Sequence, residues 1–123
     1  TLYYTRSKNK EGKKMLDVYT RGLIVPEQSI AIVSAFGIRK EHVAIRYSRI
    51  LKEKYSNEEI DCLSLLEVLQ LIKQHNMEAE SIILWNTNKT AIQYINEYKE
   101  VSGKNLSNII KQIHELLDGT KKH

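Results

Sequence analysis

A chain of 123 residues with 41% hydrophobic content suits one domain with a packed core and is too apolar for global disorder. No run of about 18 apolar residues occurs, which excludes a spanning helix. The single cysteine, Cys62, excludes an intrachain disulfide and a cysteine-based zinc framework. The net charge of +4, from 19 basic and 15 acidic residues, gives a modest positive field. Such a field favours polyanions but equally describes a solvated surface. Thr1–Lys14 is polar and basic rather than an apolar signal segment, and a lone cysteine in an apolar stretch reads as a buried thiol. The expected compartment is therefore the cytoplasm or nucleus.

In chain order, Leu2–Thr5 is a short candidate strand, and Ser7–Lys14 is a charged turn around Gly12. Met15–Thr20 reads as a strand stopped by Arg21-Gly22, and Leu23–Val25 either extends it or begins a loop before Pro26. Ser29–Phe36 is nearly all apolar, as in a strand buried on both faces. His42–Leu51 alternates, with Val43, Ile45 and Tyr47 on one face and Ala44, Arg46 and Ser48 on the other. A short turn containing Gly37 would join these two runs as a hairpin.

Ser56-Asn57-Glu58-Glu59 has the spacing of a capping box, so a helix is predicted from there to about His75. Cys62, Leu65, Leu66, Leu69 and Ile72 form its apolar stripe, and Asp61, Ser64, Glu67, Gln70 and Gln74 its polar side. Ser81–Trp85 is a strand, Asn86-Thr87-Asn88 a turn, and a second helix runs through Ile95 to about Glu100. Ser102-Gly103 breaks it, and a third helix covers about Leu106–Leu117, stopped near Gly119. The strand–helix–strand unit from His42 through Trp85 should place its two strands parallel in one sheet.

This order resembles the ribonuclease H family: three antiparallel strands, a long helix, a fourth strand parallel to the first, and further helices. Val18-Tyr19-Thr20-Arg21-Gly22 is similar to the family's aromatic-Thr-Asp-Gly strand ending. Ser56–Leu63 is similar to its helix opening, and Leu84-Trp85-Asn86-Thr87-Asn88 falls where the family has Thr-Asp-Ser. The resemblance implies an α/β fold with a mixed sheet of four to five strands and about three helices, filling residues 1–123. The family's fifth strand has no evident source here. Leu2–Thr5 is the only candidate edge strand, although terminal segments ordinarily fray.

The resemblance also implies a site, and there this chain departs from the pattern. The family holds two magnesium ions with Asp, Glu, Asp and a later Asp. The corresponding positions here are Arg21, Asp61 and Thr87 (Asn86 if the alignment slips by one), and no fourth is found. One carboxylate cannot neutralise two divalent ions about 4 Å apart. The reading is of a degenerate site in which Arg21 pairs with Asp61, with no catalytic residue and no metal or other cofactor. Asp17, two residues before Tyr19 on the same strand face as Arg21, is a second carboxylate placed to approach Asp61.

Elsewhere, Arg39, Lys40, Arg46, Arg49, Lys52 and Lys54 form a basic run with Tyr47 and Tyr55 interleaved. Such a run suits a phosphate backbone, or simply a solvated surface. The dispersed His42, His75, His114 and His123 make no metal pair. The expected function is a catalytically inactive ribonuclease-H-like module contacting RNA, RNA–DNA hybrid or protein, as silent domains related to reverse-transcriptase machinery do. The alternatives are a Mg²⁺-dependent nuclease with a rebuilt site, and a purely protein-binding or oligomerisation module.

Overall fold

The computed structural model describes residues 2–6, 15–75, 81–97 and 101–118. The expected Ser7–Lys14 turn, the end of the second helix near Glu100, the stop at Gly119, and His123 lie outside them. Within them, β1 (Leu2–Arg6), β2 (Met15–Val25), β3 (Ile30–Arg39) and β4 (His42–Leu51) precede α1 (Asn57–Gln74), and β5 (Ser81–Asn86) is followed by α2 (Lys89–Glu97) and α3 (Lys104–Asp118). The strands form one mixed sheet in the order β1-β5-β2-β3-β4. The meander β2-β3-β4 is antiparallel, and β5 returns parallel to β2, as expected from the sequence. Leu2–Arg6 fills the outer place beside β5, antiparallel to it, so the fifth strand comes from the N-terminal side.

Leu16 and Val18 of β2 and Ile82 and Leu84 of β5 are buried with α1, α2 and α3 in one cluster, so the helices lie on one side of the sheet. Alternation along the strands turns Tyr19, Arg21 and Trp85 to the other side. Among the described residues no helix covers that side, and Tyr19, Leu23, Val43 and Ile50 are exposed there. No helix among the described residues is long and apolar enough to cross a membrane. The capping box at the start of α1 is complete: the Glu59 N–H donates to Ser56 Oγ (3.1 Å), and the Ser56 N–H donates to Glu59 Oε1 (2.7 Å).

Three local expectations are corrected. First, β2 does not stop at Arg21-Gly22 but runs to Val25, paired with β3 along its length. Gly22 serves close approach rather than a turn, because a β-carbon there would lie 2.7 Å from the Ile60 backbone. Second, the hairpin between β3 and β4 turns at Lys40-Glu41, both with left-handed φ (50° and 66°), as a two-residue primed loop requires. Gly37 lies within β3, opposite Ile45, at a bulge that makes Ile38 pair with Val43. The bulge moves Val43 to the open side, apart from Ile45 and Tyr47. Third, Ser64 and Glu67 are buried rather than on a solvated flank of α1: α1 packs on β2 and β3, and Tyr47 and Arg49 of β4 close over Glu67.

Candidate functional site

The end of β2, the start of α1 and the end of β5 meet at one corner of the domain. β5 accompanies β2 only as far as the Tyr19–Trp85 pair, so the β2 edge beyond it has no strand partner on that side. The Gly22 N–H there donates to Asp61 Oδ1 at 2.7 Å. The second oxygen, Asp61 Oδ2, accepts from Asn88 Nδ2 at 2.9 Å. Asn88 in turn caps α2, its Oδ1 accepting from the Ala91 N–H at 3.1 Å. The Asn88 N–H donates to Asn86 Oδ1 (2.8 Å), and Asn86 Nδ2 donates to Thr20 Oγ1 (2.9 Å). The Thr20 hydroxyl then donates to the Trp85 carbonyl (2.8 Å), ending an unbroken hydrogen-bond chain from α1 to β5.

The expected Arg21–Asp61 ion pair is not present. Thr20 and Gly22 sit on the helix side of β2, whereas Arg21, between them, points to the open side. Asp17 shares that open side, and its Oδ1 accepts from Trp85 Nε1 at 3.0 Å rather than approaching Asp61. The three positions singled out from sequence therefore divide. Arg21 and Thr87 line a cavity of about 430 Å³ on the open side, together with Tyr19, Ser34, Phe36 and Trp85. Asp61 lies beneath, in the hydrogen-bond chain. Among the described residues no three His, Cys, Asp or Glu side chains converge as metal ligands.

The basic run wraps around the edge strand β4. Arg46 is on the open side, its guanidinium 5.9 Å from the centroid of the Phe36 ring. Arg49 is on the helix side, where Nε and Nη2 form a fork with the buried Glu67 carboxylate, which also accepts from the Tyr47 hydroxyl at 2.6 Å. The fork that Arg49 donates to Glu67 raises the Arg49 pKa further, while burial, then the bond to Glu67, raises that of Tyr47. Lys40 occupies the exposed hairpin turn, Arg39 is half-buried at the end of β3, and Lys52 is exposed just beyond β4. Cys62 is buried in the core, and desolvation, then Asp61 and Glu58, pushes its thiol up to about 12, leaving it protonated and unreactive at neutral pH.

The Arg49–Glu67 fork should matter to stability. Arg49→Met leaves a buried carboxylate with one hydroxyl partner and is expected to destabilise by about 2 kcal/mol. Because Arg49 is half exposed, the loss stays below that of a fully buried pair. Combining Arg49→Met with Glu67→Gln should recover much of the loss in urea unfolding; strictly additive losses would show that the pair is not coupled.

One feature of the open side escaped the reading of the sequence. The Tyr19 and Trp85 rings are stacked, with centroids 5.9 Å apart and planes 11° apart. The signal was available, since strand alternation places both residues on the side opposite Val18 and Leu84, but it emerges only once β2 and β5 are known to be neighbours.

No protein-family model and no curated protein matches the sequence. Solved structures do match. Ribonuclease H1 from the halophilic archaeon Halobacterium salinarum aligns with a TM-score of 0.69 at 12% identity, over 85% of this chain and 78% of that one. LC11-RNase H1, isolated from compost by a metagenomic approach, aligns with a TM-score of 0.72 at 10% identity, over 88% of this chain and 78% of that one. The same LC11 enzyme in complex with an RNA/DNA hybrid aligns with a TM-score of 0.64 at 11% identity, over 82% and 75%. The fold is that of ribonuclease H. In a ribonuclease-H-like fold, Arg21, Asp61 and Thr87 are brought to one corner of the sheet, with Arg21 and Thr87 on its open side and Asp61 on its helix side.

Proposed function

We propose that the chain is a catalytically silent ribonuclease-H-like module that contacts nucleic acid. The observation that supports silence is the engagement of Asp61: both carboxylate oxygens are committed, to the Gly22 N–H and to Asn88 Nδ2. Releasing them to a cation would unpair a strand amide and the residue that caps α2. The family-site positions that line the open cavity, Arg21 and Thr87, are a permanent cation and a neutral hydroxyl. This donor set does not suit Mg²⁺, which takes hard, anionic oxygen ligands in octahedral geometry. Nucleic-acid contact is supported by the fold, by the net charge of +4, and by the RNA/DNA hybrid bound to the LC11 enzyme of the same fold.

Incubation with an RNA–DNA hybrid in Mg²⁺ or Mn²⁺ should give no cleavage, while nucleic acid is retained at low salt and released as salt rises. Metal-dependent cleavage that Asp61→Asn abolishes would instead establish a rebuilt nuclease site. Absence of nucleic-acid affinity at low salt would favour a module that contacts protein alone.

A further inference from the structure

We infer that the open side of the sheet is a platform for unpaired nucleic-acid bases, so that the partner is a single strand rather than a hybrid duplex. This specifies the partner within the nucleic-acid reading above and can fail separately from it.

Strand register sets Trp85, Tyr19, Phe36 and Arg46 side by side across β5, β2, β3 and β4. Asp17 holds the indole through Trp85 Nε1, the Tyr19 ring stacks beside it, and the Arg46 guanidinium lies over Phe36. The row is therefore pre-ordered, so docking against it costs little further side-chain entropy. Two residues further along β2, roughly 7 Å by strand rise, stands Arg21. It is exposed and makes no side-chain hydrogen bond or ion pair among the described residues. Among the described residues, Arg21 is the only charged one lining the cavity of about 430 Å³ that these rings share with Ser34 and Thr87.

The pairing of flat apolar surface with an isolated cation selects the ligand. An aliphatic partner would satisfy the rings but bury Arg21 without a counterion. A nucleotide offers a planar base and an anionic phosphate at that separation. A duplex does not, because its bases are stacked on one another and its exterior is phosphate. A free nucleotide would use only part of the row: Trp85 and Phe36 are two strand spacings apart, roughly 10 Å, which is wider than one base. Successive bases of one strand fit that span, as on other aromatic platforms.

Trp85 is the only tryptophan in the chain, so its emission reports this site directly. The intact chain would be titrated at low salt with a mixed-sequence single-stranded RNA ten-mer, a ten-base-pair RNA–DNA hybrid, and AMP. The ten-mer should quench Trp85 and bind more tightly than the hybrid, with AMP requiring far higher concentration. Tyr19→Ala should weaken ten-mer binding by about tenfold or more, and Arg21→Gln should weaken it and lower the salt slope by about one. Tyr19 is 45% exposed and outside the helix-side core, and Phe36→Leu provides a second, milder variant; melting by circular dichroism checks each fold.

Hybrid binding that leaves Trp85 emission unchanged overturns the inference and spares the nucleic-acid reading. No binding of either polymer removes both. AMP as effective per nucleotide as the ten-mer overturns the single-strand assignment. Self-association that Tyr19→Ala abolishes, without quenching by any nucleotide, assigns the face to a second copy and overturns it as well.

Discussion

Gly22→Ala is expected to destabilise the fold by about 3 kcal/mol or more, far beyond the usual effect of adding one methyl group to a strand. The added carbon would stand 2.7 Å from the carbonyl carbon, the carbonyl oxygen and Cγ2 of Ile60. Two of those atoms are backbone in the first turn of α1, where the Ile60 N–H is bonded to the Ser56 carbonyl at 3.0 Å, so they cannot rotate away. Relief requires α1 to lift from β2, which opens the core around Leu65 and Val18 and stretches the Gly22–Asp61 hydrogen bond. The φ of Gly22 is not positive, so the effect is steric and not conformational. Gly37→Ala makes a useful contrast. The three atoms nearest its new carbon belong to the Ile45 side chain, Cβ at 2.9 Å and Cδ1 and Cγ1 at 3.1 Å, and Ile45 sits on the edge strand β4, which can shift more easily than α1. Its loss should be smaller, roughly 1 kcal/mol. Urea unfolding checks both: the midpoint of Gly22→Ala should fall with the slope unchanged. A loss below 1 kcal/mol would mean that the contact between β2 and α1 is not a tight one.

Much of the architecture was legible because local signals agreed with the global fold. The capping box at Ser56, the apolar stripe of α1, and the order of strands and helices all follow from short-range chemistry. What could not be read depends on neighbours distant in sequence. Gly22 looks like a strand stop until α1 is known to press on it, at which point the same residue marks a continuing strand. Lys40-Glu41 carries none of the Asn or Gly that announces a primed turn, so Gly37 drew attention instead. Glu67 reads as solvated by its position on α1, and only the fold of the hairpin over it brings Tyr47 and Arg49 to its carboxylate.

The site was legible in its members but not in its connections. Asp61 was singled out from the sequence, and it lies at that corner against Gly22 and Asn88, whereas its partner was assigned to Arg21. Alternation along β2 forbids that pairing once the strand is known to pass through residue 21, because Thr20 and Gly22 already occupy the helix side. The residues that do bind Asp61 are a backbone amide and an asparagine, groups whose roles are set by where β5 ends and α2 begins. The row from Trp85 to Arg46 was invisible for a related reason: each residue belongs to a different strand, and only the register aligns them.

Asn86→Asp tests whether an acidic group can be put back at this corner, and it is expected to weaken the fold by about 3 kcal/mol at neutral pH without producing a nuclease. Asn86 is 2% exposed, and its two amide atoms have opposite duties. Oδ1 accepts from the Asn88 N–H, which a carboxylate would also do. Nδ2 donates to Thr20 Oγ1, and it must donate, because the Thr20 proton is already committed to the Trp85 carbonyl. A carboxylate would turn an acceptor toward an oxygen lone pair and bury a charge one asparagine away from Asp61. Desolvation and that neighbouring charge should raise the pKa of the new group in the folded state above its unfolded value of roughly 4. The protonated form can donate to Thr20 as the amide did. The variant should therefore keep most of its stability below pH about 4 and lose it as pH rises through the raised folded pKa. Urea unfolding at pH 4 and pH 7.5 should accordingly show a gap from the parent protein that widens at the higher pH. Hybrid cleavage should stay absent, since the new group would be held between Thr20 and the Asn88 N–H while the Arg21 cation still stands at the cavity. A variant as stable as its parent at pH 7.5 that also cuts an RNA–DNA hybrid with Mg²⁺ would show that this corner is one substitution away from a working metal site, and that Asp61 is held less firmly than its two hydrogen bonds imply.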